Sequence, residues 1–145
     1  MLADHVIARL KAQVPALASR VEGAADLAAV MRTGGMPQVT PAAHVVPAGL
    51  TGGKTAPLTG MFRQQVGRLI SVVLYFRSRD RRSSRGLDGV GGVIDDIVGA
   101  IVGWSPDPTS AGLFELRGCR LVSAAADALV YLIDFVLPDE LRITP

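Results

Sequence analysis

The chain has 145 residues, enough for one domain and one continuous core, and no second domain is expected. Hydrophobic residues at 49% against charged residues at 19% point to apolar surface buried between subunits, while a formal charge of +2 makes no case for a nucleic-acid partner. Cys119 is the single cysteine, which excludes an intrachain disulfide or a thiolate zinc cluster and fits a reducing compartment.

The opening MLADHVIARLKAQV spaces Leu2, Val6, Leu10 and Val14 at helical intervals, and Pro15 helps to end the helix. Asp4, His5, Arg9 and Lys11 interrupt it, so it lacks the apolar stretch of a secretion signal. No run reaches the 18 or so apolar residues of a spanning helix, and a soluble, intracellular product without a membrane partner is expected. Arg20 to Gly23 reads as a short extended piece. A second helix follows from Ala24 to about Thr33, with Leu27, Val30 and Met31 inward and Gly34-Gly35 as its stop. Between Pro37 and Pro41 the chain stays extended, and Ala43 to Val46 reads as a short edge strand.

Pro47 to Gly60, PAGLTGGKTAPLTG, has the composition of a mobile loop. Its AGLTGGKT fits a relaxed phosphate-loop pattern, in which backbone N–H groups and Lys54 would hold phosphates. Such a loop must run into a helix, and here Pro57, Thr59 and Gly60 intervene before a strand. The flexible-loop reading is therefore preferred over the nucleotide site, and Asp134 is the one late carboxylate that could serve magnesium. Met61 to Arg77, MFRQQVGRLISVVLYFR, alternates Phe62, Val66, Ile70, Val72, Leu74 and Phe76 against more polar neighbours. At about 3.3 Å per residue it outruns an ordinary strand of about 17–20 Å, so part of it is expected to project or to pair with another subunit.

After this strand RSRDRRSSRG clusters Arg77, Arg79, Arg81, Arg82 and Arg85, a second mobile segment at about 77–86. It reads as a solvated tip ahead of a protein contact, with non-specific phosphate binding last. Leu87, Val90, Ile94, Ile97, Val98 and Ile101 then trace a third helix whose Asp95 and Asp96 face solvent and, diverging by about 100°, do not converge on a metal. Its glycines cost roughly 1 kcal/mol each against Ala, acceptable if a neighbour packs very close. Arg117 to Arg120 reads as a hairpin turn, and Ala128 to Leu137 as a strand covered on both faces and stopped at Pro138. His5 and His44 have no relay partners nearby. The order gives an α+β domain with a mainly antiparallel sheet and helices packed on one face.

The segments ADHVIARLKAQVPALASRVEGAADLAAVM, PQVTPAAHVVPAGLTGG, GMFRQ, LDGVGGVIDDIVGAIVGWSPD and FELRGCRLVSAAADALVYLIDFVLPDELRI together resemble the tail terminator proteins of Mu-like and related prophages over most of the chain. The resemblance implies a structural protein of the virion tail, without enzymatic activity or cofactor, forming a homo-oligomeric ring, usually a hexamer. It would cap the tail tube protein, stop tube growth and meet the head or neck connector, with DNA passing through the lumen unread. On that reading Lys54, Thr55, Arg63, Arg77, Arg79, Arg81, Arg82 and Arg85 are the interface candidates, although the Arg77 to Arg85 cluster lies outside the family pattern. Another head–tail connector or neck ring, or a nucleotide-binding protein using Lys54, are the alternative functions.

Overall fold

The computed structural model describes residues 2–32, 35–58, 60–77, 89–107, 112–125 and 127–144. Among these lie helices α1 (Leu2–Gln13), α2 (Ala24–Arg32) and α3 (Val90–Ile101), a short 3-10 turn (Pro15–Leu17), and strands β1 (Val21–Glu22), β2 (Ala42–Leu58), β3 (Met61–Arg77), β4 (Glu115–Ala125) and β5 (Ala128–Ile143). The strands form one sheet in the order β1-β2-β3-β5-β4. Only β1 with β2 is parallel, and the rest pair antiparallel, giving an α+β fold.

The expected long strand is present with the expected bounds, and it is the middle of the sheet. Its register with β5 runs unbroken from Phe62↔Ile143 to Arg77↔Ala128. Period-two alternation sends Ile70, Val72, Leu74 and Phe76 of β3 to one face, beside Ile133, Phe135 and Leu137 of β5 and Ala43 and Val45 of β2. On that face lie α1, through Val6 and Leu10, and α3, through Val93, Ile97 and Ile101, each burying one stripe of an amphipathic helix. Arg9 ties the two helices together: its Nε donates to the Ala100 carbonyl at 2.9 Å and its guanidinium lies 4.9 Å from the Trp104 ring centre. Trp104 stacks on Phe114, which meets Phe135 edge-on, so the end of α3 is fixed to the sheet by three rings.

Several local expectations are overturned. Pro47–Gly60 is not a loop: the chain continues in β2 to Leu58, paired with β3. The ladder absorbs the irregular residues at two shifts, Pro47/Gly49 and Gly52/Thr55, with Gly49 at φ +135°, a conformation open mainly to glycine. Beyond the two residues covered by β1 the outer side of β2 has no described neighbour, where proline is tolerated. Ala43 to Val46 is thus the start of a long strand inside that edge. Arg117–Arg120 is likewise no turn but the middle of β4, kinked by shifts at Leu116/Gly118 and Leu121/Ser123.

Strand β5 does not stop at Pro138 but continues to Ile143, and it is covered on one face only, since Ile133, Phe135 and Leu137 are buried while Val130, Leu132 and Val136 are half-buried. Helix α2 buries no residue, and Met31 is 68% exposed. Phe62, placed inward by periodicity, is exposed because the helix layer does not reach its end of the sheet. The close neighbour invoked for the glycines of α3 is absent at Gly91 and Gly99, where an added Cβ would meet nothing within 4 Å. The close approach occurs instead at Gly112, where a Cβ would run into the Pro138 carbonyl.

Candidate interaction surfaces

Among the described residues, two regions of the sheet stand out as uncovered. The first is the arm made by β2 after Gly49, the first residues of β3 and the last of β5. Burial stops at Val66 on β3 and Leu137 on β5, so beyond them three paired strands extend past the core. Lys54 and Thr55 sit on this arm, exposed and within a strand. No helix follows them, so the geometry a phosphate loop requires is not formed here. Arg63 is on the arm too, 14 positions and about 45 Å of strand from Arg77 at the other end of β3. Arg77 donates from Nη2 to the Pro37 carbonyl at 3.1 Å. The candidate basic residues are therefore split between the two ends of one strand, and Arg79, Arg81, Arg82 and Arg85 lie outside the described residues.

The arm holds its charges in a set whose cross-strand pairs sequence spacing could not reveal, because Arg68 and Asp139, and Arg63 and Glu140, are more than 70 residues apart. On one side Arg68 Nε donates to Asp139 Oδ2 at 2.8 Å, and this bond, ahead of other causes, holds the Asp139 carboxyl below its ordinary value. On the other side Arg63 faces Arg142 and Gln65 faces Glu140 in register. Arg142 Nε donates to Glu140 Oε1 at 2.7 Å, whereas Arg63 Nε stands 3.9 Å from the same oxygen and, buried, has no hydrogen-bond acceptor. One carboxylate thus serves two guanidinium groups.

The second region is β4. Ten of its eleven residues are exposed, on both faces and along its outer edge. Leu116 at 45%, Leu121 at 48% and Val122 at 48%, with Leu113 at 54% just before the strand, give it an apolar surface that neither α1 nor α3 covers. Its two shifts of register kink the outer edge, a feature that discourages random strand addition. Beside it, Asp134 accepts from Ser71 Oγ at 2.6 Å and from Arg120 Nη1 at 3.2 Å, so this carboxylate is a bridge between β3, β5 and β4 and not a free magnesium ligand. The neighbouring Cys119 thiol is pushed up by desolvation and by Asp134, away from reactive thiolate.

Elsewhere the titratable groups serve structure. His44 is buried on the sheet face opposite α1 and α3, with Nδ1 3.2 Å from the Tyr75 hydroxyl and the rings edge-on. Burial lowers its pKa against the pull of Asp26 and Glu22, and burial raises that of Tyr75. Asp95 and Asp96 are exposed on α3. Among the described residues no three His, Cys, Asp or Glu side chains are grouped to hold a metal, and no helix is long and apolar enough to cross a membrane.

A family model described as phage tail terminator protein matches residues 2–143, nearly the whole chain. Comparison with curated proteins returns no match. The chain belongs to the phage tail terminator family, which makes it a phage tail protein whose partners are tail components.

Proposed function

We propose that this tail terminator acts as a closed homo-oligomeric ring, six copies in our reading, seated on the last ring of tail tube protein. There it stops tube growth and offers its other side to the head or neck connector, while DNA passes through the lumen without sequence-specific contact. The observation that carries the reading is β4, a strand at the sheet margin with three half-exposed large apolar residues, Leu116, Leu121 and Val122, and no covering element among the described residues. Apolar surface of this kind is ordinarily closed by a partner. A closed ring needs two different patches on each copy, one meeting the other on the next subunit, and among the described residues the arm and β4 are uncovered on different parts of the sheet.

In this reading the β2 edge of the arm, with Lys54 and Thr55, and the basic run from Arg77 to Arg85 meet the tube or the neck. The work is done by shape and placement: a ring that matches the tube end on one side only leaves no surface for a further tube subunit. Light scattering joined to negative-stain images of the purified chain tests the ring, and a monomer at every salt concentration would refute it. Particles assembled with Lys54→Glu test that edge: overlong tails with an unchanged ring mass are expected, and normal tails would remove the edge from the tube contact.

A further inference from the structure

The arm and α3 carry opposite charge on surfaces that cannot meet within one molecule. Among the described residues the arm holds four cations, Lys54, Arg63, Arg68 and Arg142, against two carboxylates, Asp139 and Glu140. One of the two surplus charges is at Arg63 and Arg142, which share Glu140 and stand directly opposite each other across β3 and β5, an arrangement of like charges that destabilises a strand pair unless anions offset it. Glu140 is already committed to Arg142, and the Arg63 side chain, 39% exposed, stands 3.9 Å from that same oxygen. An outside carboxylate is what this pair lacks.

Helix α3 supplies the complement. Asp95 and Asp96 are the only charged residues in VGGVIDDIVGAI, both are exposed, and neither makes an ion pair among the described residues. Adjacent helix residues have Cα atoms about 3.8 Å apart with side chains diverging by about 100°, so the contact assigns one carboxylate to each of the two long, flexible arginine side chains. Within one chain this contact is closed off. Helix α3 packs on the face of β3 that carries Ile70 and Val72, whereas Arg63, by strand alternation, is on the face of Ser71.

We propose that Arg63 and Arg142 of one copy bind Asp95 and Asp96 of the next, so that the outer end of the arm lies across the neighbour's α3. This rests on the ring reading and specifies one of its contacts. It joins two unlike patches, as ring closure demands, and charge complementarity of this kind sets register and rejects wrong pairings more than it adds affinity.

Charge inversion tests it. Arg63→Glu with Arg142→Glu gives one variant, and Asp95→Lys with Asp96→Lys gives the other; each alone sets like charges against each other at every contact. Light scattering at about 0.1 M salt should show each variant's assembly weakened by about 100-fold or more, with the melting temperature unchanged for the α3 variant and lowered for the arm variant, where Glu140 loses both of its cations. An equimolar mixture should regain the wild-type mass, because alternating copies restore every pair. A folding defect would not be cured by mixing. For the case that an inverted arm fails to fold, Arg63→Gln with Arg142→Gln is the milder form, expected to weaken assembly at low salt and to converge on wild type at high salt. Variants that assemble as wild type, or a mixture that does not recover, would overturn this contact while leaving the ring standing. A wild-type chain that never assembles would remove both.

Discussion

The exposed leucines of β4 offer a direct test of where the apolar surplus goes. Leu116 and Leu121 are 45% and 48% exposed, so each has about half its side chain left to bury. Full burial of a leucine contributes about 1.5–3 kcal/mol, which leaves about 1 kcal/mol per residue for an interface and about 2 kcal/mol for the pair, a factor of about 30 in association. Replacing both by Lys keeps the methylene stems on the strand, so the folded subunit should lose little, while each new ammonium opposes burial by a neighbour. The assay is light scattering over a concentration series, paired with thermal unfolding of the dilute protein. Assembly should shift to concentrations at least about 30-fold higher with the melting temperature moved by no more than a few degrees. If assembly is unmoved, β4 faces solvent in the working particle and the reasoning from its exposure fails. A melting loss as large as that of a core variant would fail it differently, by making these residues part of the subunit's own core.

Other outcomes follow from the interior and its charges. Phe135→Ala, which empties a fully buried site between Phe114 and Ile70, should cost about 3–5 kcal/mol in a denaturant titration. Gly112→Ala drives a methyl into the Pro138 carbonyl and should cost about 1–3 kcal/mol, whereas Gly99→Ala, with open space around it, should raise stability slightly through helix propensity. Asp139 is held below the ordinary aspartate value of 3.8, so its contribution is complete above that pH and is lost as pH falls through the lower folded value. Stability of Arg68→Ala relative to the parent, followed by urea titration from pH 7 to pH 2, should show a deficit that closes at the acid end. His44, depressed by burial below 6.5, acts in the same direction: the unfolded chain takes up its proton first, so stability declines as pH drops below 6.5. His44→Gln should flatten that part of the curve.

What could be read from the residues alone follows from the range of the forces that fix them. The alternation in β3 and the four-residue spacing of Val6, Leu10 and Val14 are local, and both elements have the expected extent. The second half of β2 was hidden because Gly49, Gly52, Gly53 and Pro57 are turn formers, and only pairing with β3, through two shifts of register, overrides that preference. Arg117-Gly118-Cys119-Arg120 misleads for the same reason, its glycine marking a bulge. The charge set around Glu140 could not be foreseen, because it depends on Gln65 facing Glu140 and Arg63 facing Arg142, a register fixed by the core far away. Arg77 is where periodicity puts it, at the end of the strand, yet it is engaged with Pro37 and separated from the arm by the length of β3.

That length has a mechanical meaning. The β3 ladder with β5 runs from the arm to the opposite end of the sheet without a missed pairing, and its 17 residues extend about 55 Å. The same two strands form the outreach and the floor on which α1 and α3 rest, so no hinge interrupts them. A load applied at the far end is carried to the helices as tilt instead of being absorbed by bending. Whatever grips the outreach therefore sets the angle of the body, and a small error in seating would be magnified across the molecule, as with the beam of a balance.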